Sequence, residues 1–377
     1  MNGEASLYIH VPFCTKKCPY CHFFVQPYVV SAKNSFCKTL IQEWELRRSL
    51  LKDHTLVSIY FGGGTPSLLS PQEIHAILQA IASTITIATD CEITLEANPE
   101  TTNAMHMQEY CNIGINRVSF GIQALHDDLL QTLGRTHTKQ RAKEAVLEAH
   151  HAGIRNISID LLYDLPHQEL CMFQETLQEA CTLPITHLSL YNLILEEGSF
   201  FYKQRQKVQP LMPSQELSLA MIEYATAYLS NCGFARYEIS AFAKDNYQSR
   251  HNTGYWTARP FIGLGPSAFS YLKGKRFQSL PHMSSWKSSI EQGIMPDGFT
   301  ETLPENAHKR ELLTIELRLL NGVDLSCFQK RHGILTQDVH DSLEKLLKQG
   351  LIQQNHHHIA LTERGMLFYD TVASELV

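Results

Sequence analysis

Along the first half of the chain, short apolar and β-branched runs alternate with longer segments whose apolar positions recur at helical spacing. Leu7 to Phe13, Val57 to Phe61, Ile93 to Ala97, Arg117 to Ile122, Ile157 to Tyr163 and Leu188 to Leu193 carry the strand pattern. Between them, Ala32 to Lys52, Pro71 to Thr84, Thr102 to Cys111, His126 to Leu133, Lys139 to Ala152 and Cys171 to Cys181 carry the helical one. Strand and helix in alternation imply parallel strands joined by right-handed crossovers. Six such units predict an α/β fold, an incomplete TIM-like (β/α)6 barrel over residues 1–200.

The alternation stops past Glu196. Gly198 to Pro213 is polar with no strand period, and Ser214 to Ser230 reads as a helix stopped by Gly233. Arg236 to Ser240 follows as a strand. The glycine-punctuated run Phe261 to Phe269 suits close approach of the backbone to a flat or bulky ligand. Residues 201–300 are therefore expected to extend the barrel. From residue 301 the pattern changes in kind. Helical stretches at Glu305 to Leu320, Leu325 to His332 and Gln337 to Lys348 precede a hairpin from Leu351 to Leu361 and a last helix from Glu363. This order predicts a small winged-helix-like domain over 301–377. Its candidate recognition helix sets Asp338, Asp341 and Glu344 against Lys345 and Lys348, so no basic stripe faces nucleic acid. It reads as a protein-interaction or lid domain, and His356-His357-His358 as exposed polar surface.

Composition narrows the setting. The 377 residues are 44% hydrophobic and 19% charged, with a formal net charge of -6, which argues against bulk attraction to nucleic acid or anionic membrane. Met1 to Leu7 lacks a basic n-region followed by an apolar run, and no apolar stretch reaches spanning length. A cytoplasmic location is expected, where the ten cysteines would be thiols.

Three of those thiols stand within eight residues, at Cys14, Cys18 and Cys21, in a C-x3-C-x2-C run wrapped in aromatics. Spacings of four and three could place them on one helix face as core residues, but Pro12 and Pro19 speak against a helix. Structural zinc with His22 as fourth ligand is poorly served, because His22 adjoins Cys21 and zinc pairs come as separated knuckles. An iron-sulfur cluster suits closely spaced thiolates, and a missing fourth ligand leaves one iron open to something else. At the predicted C-terminal rim of the barrel, where such folds place their chemistry, fall Gly62-Gly63-Gly64-Thr65-Pro66, Glu96, Gln123, Asp160 and Asp164.

Together these motifs resemble the radical S-adenosylmethionine (SAM) enzymes. Tyr8 to Cys14, Asn116 to Gln123, Leu133-Gly134-Arg135 and Ile159 to Pro166 are similar to the HemN/HemW branch, which carries a winged tail as well. The resemblance implies a [4Fe–4S] cluster held by Cys14, Cys18 and Cys21, with its free iron chelated by SAM. It places Gly63, Gly64 and Thr65 at the methionine end, Tyr8 and Glu96 on the same cofactor, and the Tyr20 backbone near the adenine. Gln123, Arg135 and Asp160 match positions that hold a second SAM in porphyrinogen-oxidising members. One-electron reduction of such a cluster cleaves SAM to methionine and a 5′-deoxyadenosyl radical.

Two positions separate the branches. Coproporphyrinogen dehydrogenases extend the motif by a fourth cysteine two residues after Cys21, where this chain has Phe23. His251-Asn252-Thr253-Gly254-Tyr255 matches the H-N-x-x-Y motif of the haem-binding branch, with His251 a suitable axial haem ligand and Tyr255 a ring to flank the porphyrin. A lone histidine there could also merely anchor a turn. The leading reading is a haem chaperone binding cluster, SAM and haem. Its expected partners are a haem-accepting protein and an electron donor such as a flavodoxin or ferredoxin. No nucleic acid, no transmembrane segment and at most transient membrane association are expected. The alternatives are oxygen-independent coproporphyrinogen III dehydrogenase and a radical methyltransferase or cyclopropanase.

Overall fold

The structure, a computed structural model, describes residues 3–377. Six parallel strands occupy the first half: β1 (Gly3–Val11), β2 (His54–Gly63), β3 (Ile87–Ala97), β4 (Arg117–Gln123), β5 (Asn156–Tyr163) and β6 (His187–Asn192). Helices α1 (Val30–Arg47), α2 (Pro71–Ala82), α3 (Ala104–Asn112), α4 (Lys139–His151) and α5 (Leu170–Cys181) connect them. Ser70 and Glu73 form a reciprocal capping box at the start of α2, with Pro71 in the first turn, so that boundary is written locally.

Side-chain alternation along the strands sorts the barrel into two environments. Leu7, Ile9, Ile59, Phe61, Val118, Phe120, Ile157 and Ile159 face the helices and are fully buried there. Removing such a side chain would cost about 2–5 kcal/mol. The opposite face lines the lumen and is polar: Ser6 and Tyr8, Ser58 and Tyr60, Glu92 and Glu96, Arg117 and Ser119, Ser158 and Asp160. TIM barrels usually fill that space with branched apolar layers. Here hydrogen bonds fill it.

The sheet continues beyond the six units. The antiparallel pair β7 (Ala235–Glu238) and β8 (Ala241–Ala243) extends it past β6, following α6 (Gln215–Asn231). Helix α7 (Arg250–Trp256) enters the lumen, and β9 (Phe261–Leu264) then joins β1 in parallel from Ser6↔Phe261 to Ile9↔Leu264. The expected run to Phe269 is broken at Gly265, which takes φ +97°. Antiparallel strands β10 (Phe269–Leu272), β11 (Lys275–Ser279) and β12 (Asp297–Thr302) complete a twelve-stranded sheet, with α8 (Met283–Glu291) between the last two. One continuous sheet thus crosses residue 200.

The tail has its own core and a winged-helix order of elements: α9 (Glu305–Glu316), β13 (Val323–Asp324), α10 (Leu325–His332), α11 (Gln337–Lys348), β14 (Ile352–Asn355), β15 (His358–Leu361), α12 (Glu363–Leu367) and α13 (Tyr369–Leu376). Leu319 bridges Glu238 and ties this unit to β7. His356 and His357 in the turn and His358 at the start of β15 are exposed, as the sequence suggested.

Candidate functional site

β1 runs directly into the cysteine loop, and the two prolines keep that loop from becoming a helix. A two-residue parallel bridge, Phe13–Cys14 with Gln26–Pro27, closes its base, with Gln26 N donating to Pro12 O at 2.6 Å. His10 Nε2 meets the Phe24 carbonyl at 3.0 Å, and Phe201 N donates to Pro19 O at 2.9 Å. Gly134, at φ +70°, lets the chain pass so close to Pro19 that an added Cβ would stand 2.8 Å from Pro19 Cδ. Held this way, Cys14, Cys18 and Cys21 line a cavity of about 450 Å³ at the C-terminal mouth of the barrel. Cys14 Sγ accepts from Thr65 Oγ1 and Cys18 Sγ from Arg135 Nη1, each at 3.5 Å.

The far rim comes from the strand ends. Gly64 is packed under the loop, where a Cβ would lie 2.6 Å from Phe13 O. Glu96 accepts from Tyr60 OH at 2.7 Å and from Gly63 N at 3.2 Å. Burial outweighs these bonds and pushes its carboxyl up to about 7. Asp160 is likewise raised by burial and accepts from Ser119 Oγ at 3.2 Å to both oxygens. Arg135 donates through Nη2 to Asn98 Oδ1 and Gly121 O, both at 2.8 Å, while its buried Nε has no partner. Burial would raise Glu100, but His137, 3.2 Å away, and Arg135 overcome it and hold the carboxyl at about 2. Soft thiols, an arginine and carboxylates thus share one cleft, which suits a ligand bearing both signs of charge.

Most of the sequence-predicted positions meet here. Tyr20, Gly63, Gly64, Thr65, Glu96, Gln123, Arg135 and Asp160 line the same cavity as the thiols. Gln123 does so at φ +73°, where β4 and β5 slip register. Tyr8 lies one layer lower: its ring is beneath Gly62 and its hydroxyl meets His10 Nδ1 at 3.1 Å. Asp164 turns away to accept from Ser218 Oγ at 2.6 Å and from Asn192 Nδ2. Sequence reasoning passed over Asn98, Glu100 and Tyr191, which also line the cavity. Asn98 directly follows the strand that delivers Glu96, so its position at a strand end was the available signal.

His251 sits elsewhere, on the lumen floor. Glu92 accepts from the backbone N–H groups of Arg250 and His251 at 3.1 and 3.0 Å, anchoring the start of α7 inside the barrel. His251 is 1% exposed, with Nδ1 bonded to Ser58 Oγ at 3.0 Å and Nε2 to Tyr255 OH at 2.8 Å. Its ring stacks on Tyr60 at 4.8 Å. Burial, helped by Arg259 and Arg117, lowers its pKa to about 3, so it is neutral. As the structure stands, neither ring nitrogen is free for a metal.

Comparison with known proteins gives this geometry a family. Residues 8–180 match the Radical SAM superfamily model and residues 303–368 the HemN C-terminal domain model. The chain is 31% identical to heme chaperone HemW of Bacillus subtilis, covering 97% of each, and 30% identical to HemW of Lactococcus lactis over 96% of this chain and 94% of the relative. The chain belongs to the radical SAM superfamily, in its HemW branch. A radical SAM domain-containing protein of Danio rerio, named as mitochondrial, is 33% identical over 89% of this chain and 74% of its own. The fold is that of coproporphyrinogen III oxidase HemN from Escherichia coli, with a TM-score of 0.88 at 22% identity over 100% of this chain and 90% of that one.

Radical SAM membership brings a [4Fe–4S] cluster and SAM, and the cavity fits both. Three thiols offer soft donors with no fourth cysteine beside them. Arg135, with its Nε unpartnered, lines the cavity as a cationic group for a carboxylate-bearing cofactor, and Gly63 and Gly64 keep the wall beside the thiols free of side chains. Among the described residues, no helix is long and apolar enough to cross a membrane.

Proposed function

We propose that this radical SAM protein is a haem chaperone: it holds a cluster and SAM at the barrel mouth, binds haem through the His251–Tyr255 segment, and passes haem to an acceptor protein. The observation that carries this reading is Phe23. It lies on the cavity wall and is 54% exposed, at the position where the porphyrinogen-oxidising branch has its fourth cysteine. The heme chaperone names of the full-length relatives point the same way. When bound and reduced, the cluster supplies an electron to SAM. Cys14, Cys18 and Cys21 hold it, and Arg135 sets the charge beside Cys18. Gly63, Gly64, Thr65 and Glu96 orient SAM, while Gln123, Arg135 and Asp160 form the wall that a second SAM would use. A flavodoxin or ferredoxin is the fitting electron donor, and a reducing compartment such as the cytoplasm suits ten free cysteines.

The test is haem titration of the anaerobically reconstituted protein beside an assay for coproporphyrinogen III. A Soret band without porphyrinogen consumption is expected. Consumption of the porphyrinogen, with no haem bound, would transfer the chain to the oxidase reading.

A further inference from the structure

A second cavity of about 450 Å³ lies away from the thiols, between the C-terminal end of α7, strands β9 to β12 and helix α9. Nothing in the cluster chemistry uses it. Its walls are aromatic and aliphatic: Tyr255 and Trp256 on one side, Phe269 and Phe299 on the sheet, Leu312 and Ile315 from the tail. Phe269 is 47% and Phe299 45% exposed on one face of the sheet, either side of Gln278, an unusual exposure for two aromatics unless something covers them. The size falls within the range of small-molecule pockets, which favour junctions between structural units.

The polar groups at the cavity are few and specific. Arg276 is already held by Glu301 and Glu311. Arg259 donates through Nη1 to Arg250 O at 2.9 Å and to Ser6 Oγ at 3.4 Å, and Glu4 stands 3.6 Å from its Nε, which leaves Nη2 unbonded. Flat aromatic walls with one guanidinium nitrogen still unbonded match a planar apolar ring that carries an anionic edge.

We propose that this cavity is a macrocycle site that reads the porphyrin ring and its carboxylates, not the iron. The inference rests on the haem reading above and assigns haem its place. Tyr255 forms part of the wall, whereas His251 does not line the cavity. With both nitrogens engaged, His251 is a positioning residue: its bond to the Tyr255 hydroxyl fixes the rotamer of that wall. A carrier that grips the ring leaves the iron open to the acceptor's own ligands.

The experiment titrates full-length, anaerobically reconstituted protein with haem and with metal-free protoporphyrin, followed by absorbance. Wild type is expected to bind both within about threefold of each other. Phe269→Asp, at a half-exposed strand position, and Ile315→Trp, which fills the cavity, should each weaken both ligands by about tenfold or more with the far-ultraviolet circular dichroism of wild type retained. His251→Ala should weaken haem and protoporphyrin by the same factor. Haem binding that is lost in His251→Ala while protoporphyrin binding is spared would overturn the inference in favour of axial ligation. Cavity variants with wild-type affinity would overturn it while leaving the chaperone reading intact. A wild type that binds no haem would end the chaperone reading itself.

Discussion

The two cavities of this protein have similar volumes and opposite construction. The one at the barrel mouth is lined from strand ends by thiols, carboxylates, an arginine and glycine backbone. The other is lined by aromatic rings from α7 and strands β9 to β12 and by aliphatic side chains from a helix of the tail. The first is built to hold charge and soft metal, and it takes nearly every group from residues 14–196. The second is built to hold flat apolar surface, and it takes every group from residues 255–315. Between them lies the polar lumen, where Tyr60 donates to Glu96 and stacks on His251, which bonds Tyr255. Sites of different chemistry can thus share one scaffold because the barrel walls serve one end and the sheet edge the other.

That separation can be broken or sharpened by substitution. The largest effect is expected for Cys14→Ala, Cys18→Ala or Cys21→Ala, each of which should take the iron content after anaerobic reconstitution from about four per chain to near zero. Porphyrin binding at the other cavity should survive, and its loss would show the sites to be one. Next is Glu92→Ala, which strips α7 of its two N-terminal acceptor bonds and leaves Arg117 without its carboxylate neighbour. It should lower stability by about 3–5 kcal/mol in urea unfolding.

Gly63→Ala should cost about 1–3 kcal/mol, because φ is +109° and a Cβ would come within 2.7 Å of the His10 ring. Melting temperature reads the loss, which should come with weakened SAM binding. Arg135→Lys should weaken SAM by about tenfold in calorimetric titration, since an ammonium cannot serve Cys18, Asn98 and Gly121 together.

The smallest effect concerns pH. Glu96 binds its proton more tightly in the folded chain, at about 7 against an ordinary 4.5. The folded state therefore holds more protons across that window, and stability of the cofactor-free protein should fall as pH rises from about 4.5 to about 7. Asp160, raised in the same direction, adds to the slope. Glu96→Gln should flatten it in urea midpoints measured across that range, and an unchanged slope would remove Glu96 from the account.

The contrast also explains what could be read from sequence. Each of the six expected strands overlaps an observed one, and the cysteine loop, the glycine run and the strand-end carboxylates reach a common cavity because a parallel barrel brings successive strand ends to one rim. Asp164 departs from that rule because it takes φ +61°, which swings its carboxylate to Ser218. The second cavity left little trace. Strands β10 and β11 are four and five residues long, too short for alternation to stand out, and they meet α9 only through long-range packing. His251 was visible as a motif, but its burial depends on Ser58 and Glu92, residues 193 and 159 positions away.

Those separations bear on how the protein is made. When the ribosome has released the first 200 residues, all three cluster cysteines and all six barrel strands are present, yet Glu92 and Ser58 still await α7, and β1 awaits β9. A nascent chain at that stage carries an open sheet edge and unpaired polar groups in its lumen, a state exposed to aggregation. The barrel is finished from behind, by the same helix that carries Tyr255 to the wall of the second cavity.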